Sequence, residues 1–414
     1  MQLEKLKELL SNLAQNSPFY QDVFRKNGIN PNAIQDFETF AQIPTTTKDD
    51  LHHRNDDFLC VPRHQIIDYV TTSGTLGDPV IFALTDNDLE RLAFNEAASF
   101  AITGSDENEI FQLTTTMDRR FMAGLAYFLG ARKLGAGIVR VGSGIPELQW
   151  DTIAKIKPTA IIAVPSFLLK LIEYAESKGI DYKNSSIKKA ICIGEPIRNI
   201  DFSWNPLGKR ITDAWPIDLF STYASTEMGA AFTECIHGQG GHSQPELVFM
   251  EFLDENNQPV NETKPGEVVV TTLGVEGMPL LRFKTGDICY HYTEKCLCGR
   301  TTTRLGPIIG RRQQMIKYKG TTIYPPAFFD ILNDFDNILN YAIEIFTNEI
   351  GTDEILVRVA CHNEIEHFDK TILDHFRAKL RVSPKIIFQS GDEVAKITNP
   401  EMSRKPIKFF DNRG

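Results

Sequence analysis

From Asp68 to Tyr223 the chain alternates short apolar runs with stretches of helical periodicity, and that rhythm restricts the fold more than any other feature of the sequence. Ile110–Leu113 and Gly137–Val141 read as strands, and they flank Met122–Leu134, a longer run rich in small residues that reads as a helix. Thr159–Val164 has the continuous apolar character of a buried strand and stops at Pro165-Ser166; Phe167–Lys178 then follows at helix period. Ala190–Ile193 ends in Gly194-Glu195-Pro196, and Asp218–Tyr223 runs into a loop. Strands alternating with helices in this way predict an α/β layer architecture. Ahead of it, Leu3, Leu6, Leu9, Leu10 and Leu13 recur at helical spacing, so residues 3–27 are expected to form two short helices.

The texture changes near Phe249. Phe249–Leu253, Glu267–Thr272 and Ile288–Tyr292 are strand-like and separated by turns such as Asp254-Glu255-Asn256-Asn257. Beyond Gly310, Tyr341–Phe346, Ile355–Ala360 and Lys385–Phe388 read as strands and Asp369–Leu380 as a helix. The expected organisation is a multi-subdomain α/β body over residues 1–309, β-rich from about 235, followed by a small α+β domain over 310–414. A chain of 414 residues has room for both.

Composition removes several classes of function. Fifty-four acidic against 44 basic side chains give a net charge of -10, which argues against nucleic acid as the main partner. No apolar run approaches the roughly 18–20 residues of a membrane span. The opening MQLEKLKELL mixes charge with apolar residues and lacks the core of a signal peptide. Seven cysteines, an odd number, fit a reducing cytosol better than a disulfide scaffold. A cytoplasmic protein is the expectation.

Thr71-Thr72-Ser73-Gly74-Thr75-Leu76-Gly77-Asp78-Pro79 is dense in hydroxyl groups and glycine, which suits a loop that wraps a phosphate chain with N–H and O–H donors. No Gly-Lys-Ser/Thr follows, so it is not a Walker A loop; alone, it reads equally well as a solvent turn. Downstream come Tyr223-Ala224-Ser225-Thr226-Glu227-Met228-Gly229, then Arg282-Phe283-Lys284-Thr285-Gly286-Asp287, then Gly310-Arg311-Arg312-Gln313-Gln314-Met315-Ile316-Lys317, and Lys405 close to the end.

That ordered set resembles the core motifs of the adenylate-forming superfamily of acyl-CoA synthetases, and within it the phenylacetate–CoA ligase branch. Pro165-Ser166-Phe167, Gly194-Glu195-Pro196, Cys296-Leu297-Cys298-Gly299-Arg300 and Tyr324-Pro325 add to the likeness, which runs from about Pro44 to the last residues. The resemblance implies the adenylate-forming fold with a mobile C-terminal lid, and a two-step reaction. A carboxylic acid is first joined to the α-phosphate of Mg·ATP with release of pyrophosphate, and the acyl group then passes to coenzyme A.

By the same resemblance Ser73, Gly74, Thr75 and Gly77 clasp the β- and γ-phosphates, Thr226 bonds an α-phosphate oxygen, and Glu227 holds Mg²⁺, a cation that prefers oxygen ligands. Tyr223 lies against adenine, with Ala224, Ser225, Gly194 and Glu195 beside the nucleotide. Asp287 accepts from the ribose hydroxyls, and Arg311 contacts ribose or phosphate. Lys405 is the catalytic lysine, whose ammonium can neutralise carboxylate and phosphate as they meet. The sequence departs from the family here: Arg404 stands where a glycine is usual, Pro406 follows, and Lys408 is a rival. Gln313-Gln314 replace two acids at the hinge, which needs only permissive backbone angles.

Cys296-x-Cys298, with Cys235-x₆-His242 upstream, is a thiolate and imidazole set suited to tetrahedral zinc. The resemblance supports a structural Zn²⁺ on these four, with His237 and Cys289 as competing ligands. Cys60, Cys192 and Cys361 read as buried apolar residues. Phe121, Met122, Ala123, Gly124 and Phe167 are candidates for the acyl pocket, expected to take a flat aromatic acid. Two rival readings stand beside the ligase. One sends the acyl group to a carrier protein's phosphopantetheine, with Lys317, Lys319, Arg377, Lys379 and Arg381 as its basic face; the other is a homologue that binds nucleotide without catalysis. A homodimer is expected of the family.

Overall fold

The structure, a computed structural model, describes residues 1–72, 80–318, 321–347, 353–363, 366–399 and 406–413, with backbone only for 313, 317, 318, 321 and 322. It divides into two compact units. One comprises Met1–Thr72, the described part of Asp78–Thr285, and Cys289–Pro307; the other comprises Gly286–Ile288 and the described part of Ile308–Gly414.

The first unit is built on a six-stranded sheet: β1 (Ile110–Leu113), β2 (Gly137–Arg140), β3 (Ala160–Ala163), β4 (Lys189–Ile193), β5 (Asp218–Ser225) and β6 (Ala230–Thr233). Their order is β2-β1-β3-β4-β5-β6; the first five run parallel and β6 is antiparallel to β5. Strand side chains alternate between faces, and both faces are covered. Ile161, Ala163, Ala190, Cys192 and Leu219 point to one side, where α3 (Pro146–Ile156), α4 (Pro165–Lys178) and α5 (Pro206–Ala214) pack through Ile153, Leu168, Leu171, Ile172 and Ile211. Their sequence neighbours Ala160, Ile162, Ile191, Ile193 and Phe220 point to the other, against Phe100 of α1 (Asp86–Ile102) and Tyr127 and Ala131 of α2 (Met122–Leu134). Truncating a fully buried member such as Ile162 to Ala costs about 2–5 kcal/mol, because the packed layers cannot close the hole.

Helices α1 and α2 lie close because Gly130 has no side chain: a Cβ there would fall 2.3 Å from the Cβ of Glu96. The chain leaves β1 for β2 on one side and returns to β3 on the other, so a crevice opens beyond the carboxyl ends of β1 and β3. In sheets of this kind ligands collect at that point. The two N-terminal helices are Gln2–Asn16 and Pro18–Lys26; the Ser17 hydroxyl accepts from Tyr20 N–H to start the second.

Ile288–Tyr292, expected as one strand, is two. Ile288 lies opposite Gly310, whereas His291 and Tyr292 pair with Leu305 and Arg304, and the Tyr290 carbonyl between them accepts from Gly306 N–H. The run contains no Gly, Pro, Asn or Asp, so nothing in its composition marks the change of partner. In the second unit Ile338–Thr347 and Asp353–Cys361 form a long antiparallel pair, extended by Phe409–Asp411 and Lys385–Phe388, each parallel to its neighbour. Pro325–Asn333 and Phe368–Leu380 cover this sheet through Phe328, Ile331, Leu332, Ile372 and Phe376. Arg413 ties the end of the chain down, bonding Asp353 at 3.0 Å and the Met315 carbonyl at 2.9 Å.

Candidate active site and metal centre

β5 runs two residues past its expected end, so Tyr223, Ala224 and Ser225 belong to the strand and Thr226–Gly229 makes the turn into β6. The Ser225 hydroxyl accepts from Met228 N–H, and Gly229 N–H donates to the Thr226 carbonyl at 3.2 Å. Gly229 has a φ of 53°, a left-handed conformation that glycine adopts without penalty. This turn leaves Thr226 and Glu227 half-buried at the carboxyl end of the sheet, while Met228 is buried beneath them. Both line a small cavity with Phe82, Leu84, Met122 and Met278.

Gly194, at the end of β4, also has a positive φ, of 76°. Glu195 beyond it is not free: its carboxylate accepts from the backbone N–H and the hydroxyl of Ser166 at the start of α4. Phe167, expected in a pocket wall, packs against the core on the α3–α5 side of the sheet. Gly124 is explained by close backbone approach, since a Cβ there would meet the Thr116 carbonyl oxygen at 2.1 Å. Phe121 precedes α2 and is half-buried. Thr115, in the loop leaving β1 at the crevice, has a buried hydroxyl with no hydrogen-bond partner.

In the second unit Asp287 and Arg311 face each other across an antiparallel pair, and Arg311 Nε donates to Asp287 Oδ1 at 3.0 Å. Asp287 is nearly buried and Arg311 partly open to solvent.

Cys235, His242, Cys296 and Cys298 converge in the first unit, their ligand atoms all within 4.8 Å of one another. Short strands bring them there: Gly241–His242 pairs with Arg304–Leu305, which pairs with His291–Tyr292. The knuckle Cys296–Arg300 closes with Cys296 N–H on the Arg300 carbonyl and Gly299, at φ 89°, on that of Cys296. Cys235 and Cys296 sulfurs are 3.7 Å apart, and Cys298 Sγ is 3.5 Å from His242 Nε2. Zn–S bonds of about 2.3 Å at tetrahedral angles place sulfurs roughly 3.8 Å apart, so the set fits zinc. Neither His237 nor Cys289 is in this cluster.

Burial, then the nearby Arg300 and Arg304, push the His242 imidazole down to about 4, which keeps it neutral. Its Nδ1 lies 3.3 Å from the Thr302 hydroxyl, which leaves Nε2 for a metal. Burial drives the Cys235 thiol up to about 12 in the absence of an ion. Burial also acts upward on Cys298, but hydrogen bonds from Arg300 and the neighbouring thiols outweigh it and bring the group down to about 7. Four protein ligands leave no open position, the pattern of a structural site. Behind it Arg198 forks onto the buried Glu234 at 2.7 and 3.0 Å, fixing the residue before Cys235.

Comparison with known proteins bears on the chemistry. Residues 27–277, more than half of the chain, match the model of the family described as AMP-binding enzyme. The phenylacetate–coenzyme A ligase of Thermus thermophilus is 30% identical over 365 residues, covering 87% of this chain and 80% of that protein. The chain belongs to the AMP-binding enzyme family, in its phenylacetate–coenzyme A ligase branch. The Escherichia coli phenylacetate–coenzyme A ligase is 27% identical over 360 residues, 83% of this chain and 78% of that one. A crystal structure of 2-hydroxyisobutyryl-CoA ligase in its postadenylation state shares the fold, with a TM-score of 0.84 at 23% identity, covering 99% of this chain and 89% of that one.

For a member of this family, Ser73, Gly74, Thr75, Gly77 and Lys405 are central expectations, and all five lie outside the described residues. Lys408 is described: its ammonium stands over the Tyr341 ring, 4.0 Å from the centroid. Several elements are not foreseen from the sequence, among them α1, α3, α5 and Pro325–Asn333. Helix α1 buries Asp88, Arg91, Asn95, Glu96 and Ser99, so no apolar stripe betrays it. Its available signal was Thr85-x-x-Asp88, which forms a capping box.

Proposed function

We propose that this family member is an AMP-forming carboxylate–coenzyme A ligase acting on an aromatic acid of the phenylacetate type. The observation that supports it most is the turn holding Thr226 and Glu227 at the carboxyl end of β5, in a chain of this family. In the first half-reaction a carboxylate oxygen attacks the α-phosphorus of ATP and pyrophosphate leaves. Thr226 donates to an α-phosphate oxygen and Glu227 holds Mg²⁺, which supplies positive charge to the phosphates. The Lys405 ammonium offsets the repulsion between the two anions. Asp287 accepts from the ribose hydroxyls, and Arg311 stays beside it. In the second half-reaction the thiol sulfur of coenzyme A attacks the acyl carbon and AMP leaves, the lid having turned about residues near Arg311.

Zn²⁺ on Cys235, His242, Cys296 and Cys298 is structural in this reading; it takes no part in either step. Coenzyme A is favoured over a carrier protein as acceptor, because two residues of the candidate basic face are already neutralised. Arg377 pairs with Asp374 at 3.2 Å, and Lys379 pairs with Asp334. No helix among the described residues is long and apolar enough to cross a membrane. A cytosolic homodimer completes the proposal. Its test is pyrophosphate release from ATP over a panel of aryl and alkyl acids, with and without coenzyme A. Acid-dependent release followed by thioester formation is expected, strongest with aryl acids. No release from folded, zinc-replete protein refutes the ligase, and release without thioester turns the reading toward a carrier acceptor.

A further inference from the structure

Helix α1 presents a row of polar side chains that bind backbone instead of one another. Asp88 accepts from the N–H groups of Glu276 and Gly277 at 2.8 and 2.9 Å. Arg91 donates only to carbonyls: Gly229 and Leu247 at 2.6 Å each, Leu273 at 2.9 Å and Met228 at 3.5 Å. Asn95 closes a two-way pair with Ala231, accepting from its N–H at 2.6 Å and donating to its carbonyl at 3.2 Å. The spacing of 88, 91 and 95 keeps all three on one helix face. All three side chains are at least nine-tenths buried, and Asp88 and Arg91 line the same small cavity as Thr226 and Glu227.

A guanidinium offers several donors in a rigid plane, so it can fix several carbonyls at once. Burial lowers the Arg91 pKa to about 10, with Asp88 opposing, so the group stays charged at neutral pH. Two of its four bonds, the short one to Gly229 and the long one to Met228, hold the exit of the turn that carries Thr226 and Glu227, and the other two tie that exit to Leu247 and Leu273; Asn95 takes the next residue but one after Gly229. We propose that Arg91 and Asn95 are positioning residues for adenylation: they lock the exit of the Thr226–Gly229 turn, so that the Thr226 hydroxyl and the Glu227 carboxylate meet Mg·ATP in a single arrangement. The inference deepens the ligase reading and rests on it for the identity of the nucleotide.

The test separates the half-reactions in Arg91→Lys and Asn95→Ser, with Trp150→Phe as a control that removes a buried backbone tie elsewhere, from Trp150 Nε1 to the Leu171 carbonyl. Acid-dependent ATP–pyrophosphate exchange falls by about tenfold to a hundredfold in the first two variants, the scale of a small misplacement near reacting groups. Their half-saturating Mg²⁺ rises severalfold. Thioester formation from supplied acyl adenylate and coenzyme A stays within about threefold, since that step no longer needs the metal-bound pyrophosphate. Trp150→Phe keeps the ratio of the two half-reactions. A proportional fall in both half-reactions, or unchanged exchange in a folded variant, overturns the proposal. Should Arg91→Lys fail to fold, Asn95→Ser reads the same quantities. If the wild type exchanges with no acid, the ligase reading fails instead. ATP binding by calorimetry with Mg²⁺ and with EDTA then decides this proposal: a smaller gain from Mg²⁺ in the variants supports it, and an equal gain overturns it.

Discussion

Glu195, at the exit of β4, caps a helix to which it does not belong: its carboxylate takes the Ser166 N–H at 2.8 Å and the Ser166 hydroxyl at 2.9 Å. Helix α4 needs this help, because Val164 at its N-cap offers no side-chain acceptor. A carboxylate also complements the positive end of the helix. Glu195→Ala is expected to destabilise the protein by about 1–2 kcal/mol, and Glu195→Gln by less, since an amide oxygen still accepts. Urea unfolding measures both. An Ala variant as stable as the wild type would show that water replaces the cap at no cost.

The thiolate cluster predicts a metal-dependent fold. Protein purified without chelator should carry about one equivalent of zinc, as a closed four-ligand site requires. Removing it, or replacing Cys296 by Ser, should lower the melting temperature by several degrees and expose the small sheet that joins Gly241–His242 to Arg304–Leu305. Elemental analysis and thermal melts decide the matter. Metal-free protein that melts where the wild type does leaves the cluster without a structural ion.

What could be read in the sequence follows from how each signal is written. The strands β3 and β4 are short apolar runs closed by Pro165 and Gly194, and like β1 they stand where those runs stand. The four residues of the thiol and imidazole cluster were legible because cysteine and histidine are rare and their spacing is chemical; the choice of His242 over His237 needed the fold. Helix α1 was illegible for a physical reason. Its buried face carries Asp88, Arg91, Asn95 and Ser99, whose distant partners are backbone groups 132 to 189 residues away, so its hydrophobic periodicity is weak. The apolar candidates Gly124 and Phe167 could be read as pocket or as packing. In the structure Gly124 is accounted for by the Thr116 carbonyl and Phe167 by core contacts.

Burial alone drives the Glu96 carboxyl up to about 8, at the contact between α1 and α2 beside Tyr127 and Gly130. Its ordinary value is 4.5. Between these values the folded protein keeps a proton that the unfolded chain releases, so stability falls as pH rises through the window. It is fully present below about 4.5 and level again above about 8, with a slope of at most about 1.4 kcal/mol per pH unit. Glu96→Gln keeps the shape and removes the proton. The variant should melt above the wild type at pH 8.5, with the gap closing toward pH 5. Parallel melting curves across that range would sink the assignment.

Lys405 and Lys408 are three residues apart and make opposite predictions. Lys408 serves the fold: its ammonium lies over Tyr341, and its carbonyl accepts from Ile343 N–H at 2.8 Å, where the last strand joins the sheet. Lys408→Ala should cost about 0.5–2 kcal/mol of stability, as loss of a partly buried cation–π contact does, and leave adenylation intact. In the proposed reaction the Lys405 ammonium is the group that neutralises carboxylate and α-phosphate at the moment of attack. Lys405→Ala should lower acid-dependent pyrophosphate release by at least about a hundredfold, the effect of removing one charge-stabilising donor. Mg·ATP binding should change little, because Thr226, Glu227 and Asp287 remain. Thermal melts and single-turnover pyrophosphate release on the two variants separate the roles. Loss of release in Lys408→Ala with Lys405→Ala still active would move the catalytic lysine three residues along the chain and assign Lys405 to the surface.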